Sequence, residues 1–189
     1  MERKFLKAGD IYTNNQGYKF VLERKLSNQE VLDRGFKLES KYGYSRYWEI
    51  RFIVTGYRTI INSSSIFKGS IKDRFQGAVY DVGIIGNVDT SKYYREYFLW
   101  QHMLLRVYDN KYIAKSPSYG KVKVSARWCM FENFLNDLPT LEGYEHWKAG
   151  KDYQLDKDKY SHEDNKRYSK ETCCFISESE NLALRTKTK

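Results

Sequence analysis

Lysine and arginine are the residues whose types and placement suggest a chemistry. Arg46, Arg51, Arg58, Lys68, Lys72 and Arg74 gather in a stretch of β-type sequence. A strand pair with guanidinium groups on its exposed face fits a DNA major groove, where such groups meet phosphates or guanine edges. Taken singly, each is also an ordinary solvated charge on a sheet whose other face is apolar. A second set, Lys111, Lys115, Lys121 and Lys123, lies between two helical patterns and offers another phosphate-contacting surface. Tyr112 and Tyr119 stand among them, suited either to rest on sugars and bases or to pack a loop onto the helices. In the whole chain, 33 Lys/Arg against 24 Asp/Glu leave a net charge of +9, so an acidic partner is expected.

Other chemistries are poorly supplied. There is no Ser/His/Asp arrangement, P-loop or dinucleotide fingerprint. Cys129, Cys173, Cys174 and His162 match no standard zinc spacing, and no resident metal or cofactor is expected. Three cysteines without a C-x-x-C pair read as reduced thiols in a cytoplasmic protein. The N-terminal residues lack the apolar run of a secretory signal, and no stretch approaches a membrane span. With 16% aromatic residues, the chain has too many large side chains for a disordered polycation.

The elements that must position these cations fall into two unlike regions. From the start to residue 88 the pattern is that of strands. Tyr18 to Glu23 follows an Asn-Asn-Gln-Gly turn signal. Trp48, Ile50, Phe52 and Val54 then alternate with Glu49, Arg51, Ile53 and Thr55, and Gly56 permits a turn before a second β-rich run, so 46–62 reads as a hairpin. Residues 66–74 are expected to continue the sheet and end in a charged turn, and 26–39 is a short helix or a loop. Residues 1–88 hold 15 Lys/Arg against 9 Asp/Glu, a balance of +6, whereas 89–189 hold 18 against 15, or +3.

After residue 88 the period lengthens. Tyr97, Trp100, Leu104, Val107 and Tyr108 recur at three and four, which predicts an amphipathic helix over 93–109. Ser125 as N-cap and Pro139 as stop frame a second helix, with Trp128, Phe131, Leu135 and Leu138 as its inner stripe. Residues 111–124 between them read as a loop. Cys173 and Cys174 on a short strand should point to opposite faces, one buried and one not.

The segment Gln154-Leu155-Asp156-Lys157-Asp158, the polar stretch to Asn165, Tyr168 to Ser177 and then Glu180-Asn181 resembles phage homing endonucleases of the HNH type and their relatives. In these an acidic strand, a polar loop, a short strand and an Asn-bearing helix follow in order. Trp100 to Leu104, Tyr119-Gly120-Lys121, Trp128 to Phe134 and Thr55-Gly56-Tyr57 extend the likeness upstream. It implies an α+β fold: a small β-rich DNA-binding region over 1–88, then a helical region with a degenerate HNH-like ββα segment over 89–189. It also implies vestigial catalytic positions at Asp156, Asp158, Asn165, Asn181 and His162. A working site of this type needs a general base, usually His, and ligands for one Mg²⁺. In one register Asp156 takes the base position and Leu155 a ligand position. Shifted by one, Asp156 is a ligand and Lys157 stands where the base belongs. Neither register completes the site.

The expectation is a sequence-specific double-stranded DNA-binding protein derived from such an enzyme. It would be inactive as a nuclease and would act as a transcriptional repressor in the bacterial host cytoplasm, as a monomer or a homodimer, without a membrane partner. An active metal-dependent endonuclease is the alternative. Arg46, Arg51 and Arg58 are the expected base readers, with Lys68, Lys72, Arg74, Lys115, Lys121 and Lys123 holding phosphates.

Overall fold

The computed structural model describes residues 5–38, 46–161 and 165–187. The architecture is mixed α/β, an N-terminal antiparallel sheet followed by helices. The chain divides into two compact units, Met1–Gln76 and Gly77–Lys189, a boundary earlier in the chain than the change of period at residue 88. Among the described residues no helix is long and apolar enough to cross a membrane.

The first unit is a four-stranded sheet in sequence order, β1 (Ile11–Thr13), β2 (Lys19–Lys25), β3 (Tyr47–Phe52) and β4 (Arg58–Asn62). Asn14 closes the first turn: its side-chain oxygen accepts from the N–H groups of Gln16 and Tyr18, and its amide donates to the Ile71 carbonyl at 2.8 Å. The hairpin expected at 46–62 is present, with Arg51 opposite Arg58 and Gly56 at φ 72° in the turn. Alternation sends Phe20, Leu22, Trp48, Ile50 and Phe52 to one face. Between β2 and β3 the helix α1 (Asn28–Asp33) forms behind a capping box of Ser27 and Glu30. Its Val31 packs on the opposite face with Leu26 and Tyr47.

Residues 66–74 do not extend the sheet. Asn62 caps the Ser65 N–H, Gly69 leaves the last turn at φ 62°, and between them lies the helix α2 (Ser63–Lys68). Ile66 then joins the sheet's core from this helix, together with Ile71. An Asn cap and a left-handed glycine exit close this segment into a helix although Ile66 and Phe67 favour a strand.

The second unit is organised by α3 (Tyr94–Tyr108), the helix expected at 93–109. Its Trp100, Met103, Leu104 and Val107 are buried against Trp128, Phe131 and Phe134, and the Trp100 indole donates to the Trp128 carbonyl at 2.7 Å. The helix expected from Ser125 to Pro139 is broken in two. Ser125 caps a 3-10 turn, Ala126–Cys129, and then α5 spans Phe131–Asp137. Ile84 causes the break: its N–H donates to the Cys129 carbonyl and its carbonyl accepts from Phe131, both at 2.8 Å, drawing Met130 into extended backbone.

The expected loop at 111–124 is also ordered. Asp109 accepts from the Tyr112 N–H at 2.7 Å and caps α4 (Asn110–Lys115), a 3-10 turn spans Pro117–Lys121, and β5 is Lys123–Val124. After α6 (Tyr144–Lys148) come β6 (Tyr153–Asp156), β7 (Arg167–Tyr168), β8 (Cys174–Ser177) and α7 (Glu178–Lys187). Strand β5 pairs in parallel with β7, and β6 pairs antiparallel with β8. Cys173 and Cys174 are both buried, at 4% and 0% exposure. The strand begins at Cys174, so the expected alternation does not govern Cys173, and burial raises both thiols, to about 12 and about 11.

Candidate nucleic-acid interface

The acidic segment forms a strand, a turn and a second strand, with α7 packed on both strands. Asp156 ends β6 nearly buried, and its Oδ2 accepts the N–H groups of Asp158 at 2.8 Å and Lys159 at 2.7 Å. This carboxylate builds an Asx turn. Asp158 carries two ammonium partners, Lys157 at 2.7 Å on one oxygen and Lys166 at 3.2 Å on the other. Burial by itself would raise the Asp158 carboxyl, but these two lysines outweigh it and leave it below the ordinary carboxylate value. Lys159 and the Tyr160 hydroxyl both reach Glu142, fixing the far side of the turn.

Such a turn does not fit a divalent cation. One Asp156 oxygen is already saturated by backbone donors, Leu155 is turned inward, and a cation at Asp158 would sit against two ammonium groups. Lys157, expected at the base position in one of the two registers, is 7% exposed and its Nζ lies over the rings of Tyr119 at 5.1 Å and Tyr168 at 5.7 Å. Asn181 donates to the Gln154 side chain at 3.1 Å, tying α7 to β6. Asn165 is exposed, and His162 lies outside the described residues.

The hairpin arginines are brought together, but with a carboxylate between them. Glu23 of β2 accepts from Arg51 Nε at 2.7 Å and from Arg58 Nε at 2.9 Å. Hydrogen bonds from Arg58 and then Arg51 hold the Glu23 carboxyl below its ordinary value. On the same sheet, Arg24 bridges Glu49 at 2.8 Å and Glu30 at 2.7 Å. Three arginines thus face three glutamates, and these six charges offset one another. Lys68 and Lys72 are exposed on the layer that carries Ile66 and Ile71 against the other face, so the six basic residues do not share one surface. Arg46 is exposed just before β3, and Arg74 is half-buried.

A different surface is uncompensated. From Asn110 to Phe131 there is no acidic residue, while Lys111, Lys115, Lys121, Lys123 and Arg127 all fall in that run. It folds into α4, the 3-10 turn and β5, a ledge against α3. Lys111 and Lys115 are one turn apart on α4 and share a face. All four lysines are exposed, and among the described residues none has a hydrogen-bond or ion-pair partner for its ammonium. Only Arg127 is engaged, in a two-pronged pair with buried Asp137 at 2.7 and 3.0 Å.

Compared with family models, curated proteins and solved structures, the chain matches none. The chemistry of the ledge therefore rests on its own geometry. Tyr112 and Tyr119 meet edge to face at 5.7 Å, and Lys157 covers Tyr119, so these rings pack the ledge and do not present stacking platforms. Sequence reasoning named Lys111, Lys115, Lys121 and Lys123 but not Arg167, which β7 sets beside Lys123 of β5. The Lys-Arg pair just before Tyr168 was visible; its neighbour across the ladder was not.

Proposed function

We propose that this chain binds a specific site in double-stranded DNA and acts by occupying it, as a transcriptional repressor does, without cutting. The acid-free run folded into one lysine ledge carries the reading. A row of unpaired ammonium groups on short, well-packed elements supplies the phosphate contacts from which most duplex affinity comes. The strand–strand–helix order of β6, β8 and α7 agrees with descent from an HNH-type endonuclease. Asp156 locked into its own turn supports loss of cleavage, since a general base must reach the attacking water.

The test has two parts. In a mobility-shift assay without metal, the protein retards one duplex from its source genome in preference to scrambled duplexes of equal length. Supercoiled plasmid then stays intact in Mg²⁺ or Mn²⁺. Metal-dependent nicking that Asp156→Ala abolishes would replace this reading with an active nuclease, and failure to shift any duplex would remove DNA as the partner.

A further inference from the structure

The short parallel pair β5–β7 places like charges side by side. Lys123 and Arg167 are direct partners across the ladder, and the Lys123 N–H donates to the Lys166 carbonyl at 3.1 Å. Partner side chains in a parallel pair share a face. Val124 and Tyr168, the next pair, are buried at 8% and 2% exposure, so Lys123 and Arg167 take the outer face together. Strands lie about 4.8 Å apart, and like charges opposite one another at that spacing destabilise a sheet. Among the described residues no carboxylate pairs with Lys123 or Arg167, and Asp158 reaches only their neighbour Lys166, at 3.2 Å. Glu163 and Asp164, which precede it in sequence, lie outside the described residues.

The base of the group is stiff. Lys157 sits under it over the Tyr168 ring, the Ser125 N–H donates to the Tyr168 carbonyl at 2.9 Å, and Thr172 Oγ1 donates to the Arg167 carbonyl at 2.6 Å. A fixed backbone that holds two cations side by side, at a cost to its own pairing, is arranged for an anion from outside the chain. We infer that Lys123 and Arg167 form one phosphate-gripping station on the outer face of this strand pair. The station rests on the DNA-binding reading for the source of its phosphate, although its chemistry would equally hold a free phosphate ion.

Lys123→Gln and Arg167→Gln are the variants of choice, because among the described residues neither side chain has a partner to lose. Duplex binding by the full chain is followed across a salt series, and melting temperature is followed with and without inorganic phosphate. Each variant is expected to flatten the dependence of log affinity on log salt by about one unit. Arg167→Gln should melt no lower than wild type in the absence of anions, and added phosphate should raise the melting temperature of wild type but not of the variant. Unchanged salt slopes in both variants, with wild type still binding duplex, would overturn the station and leave the DNA reading intact. Should no duplex bind while phosphate still stabilises wild type alone, the station stands as an anion site and the DNA reading falls. If neither duplex nor phosphate produces a response, both fall.

Discussion

The outer face of the β3–β4 hairpin and the α4–β5 ledge both carry several cations, and they differ in what stands beside them. The first unit is the more basic by count: residues 1–76 hold 15 Lys/Arg against 8 Asp/Glu, whereas residues 77–189 hold 18 against 16. Yet Arg51 and Arg58 of the hairpin are held by Glu23, and Arg24 of the neighbouring β2 by Glu30 and Glu49, whereas the lysines of the ledge are unpaired. A charge already paired offers a phosphate little, because the new contact must first break the old one. Net charge is a property of composition, while a binding field is a property of spacing.

The comparison breaks most visibly under bulk charge removal. Replacing Lys111, Lys115, Lys121 and Lys123 together by Gln should lower duplex affinity on the order of a hundredfold to a thousandfold at physiological salt, by the loss of about four phosphate contacts. The pair Arg51→Gln and Arg58→Gln should change it less than about threefold. Titration of both variants decides, and the opposite ranking would move the interface to the hairpin.

Arg127, the last cation of the acid-free run, is held by a buried carboxylate. Asp137 accepts from Arg127 and from the Trp128 indole at 2.9 Å. Asp137→Ala strands that indole N–H and should cost roughly 3 kcal/mol in urea unfolding followed by tryptophan fluorescence. Hydrogen bonds from Arg127 hold the Asp137 carboxyl below its ordinary value despite burial. Its contribution is therefore complete above the ordinary aspartate pKa and is lost as the pH falls through the lowered one. Asp137→Asn should flatten that acid limb.

Alkali separates the two units by another route. All three cysteines lie in the second, and burial holds the Cys174 thiol at about 11 and the Cys173 thiol at about 12. The protonated thiols stabilise the fold fully below the ordinary thiol pKa, and that contribution is lost as the pH climbs through 11 and 12. Pairwise Cys→Ala substitution should reduce the slope of melting temperature against pH in this range. Iodoacetamide at neutral pH should modify neither thiol in the folded protein.

The smallest effect sharpens the picture at the hairpin. Glu23→Gln frees Arg51 and Arg58 and should change stability by less than about 1 kcal/mol, as partly exposed pairs do. Unchanged duplex affinity keeps the hairpin face out of the contact. A tenfold gain would place it there, with Glu23 as the group that had masked it.

Much of the framework was legible because it repeats. The hairpin showed its period of two in Trp48, Ile50 and Phe52, and α3 showed its period of three and four from Tyr97 to Tyr108. The short elements were not. Six residues capped by Asn62 gave α2 where β-type composition suggested a strand, and Met130 was pulled out of a helical run by Ile84, a residue far back in the chain. At the site, the lysines of the ledge could be counted in the sequence, but the turn that consumes Asp156 depends on two N–H groups that only its own backbone geometry supplies.

By itself the sequence determined the surplus of positive charge, the acid-free run before Glu132 and the two long periodic elements, since composition and local spacing are carried by neighbouring residues. Tertiary structure alone decided which cations are paired. Glu23 meets Arg58 from 35 positions away, and Arg167 comes beside Lys123 through a parallel strand pair. Ion pairs form between groups close in space, and local spacing in a chain does not record that distance.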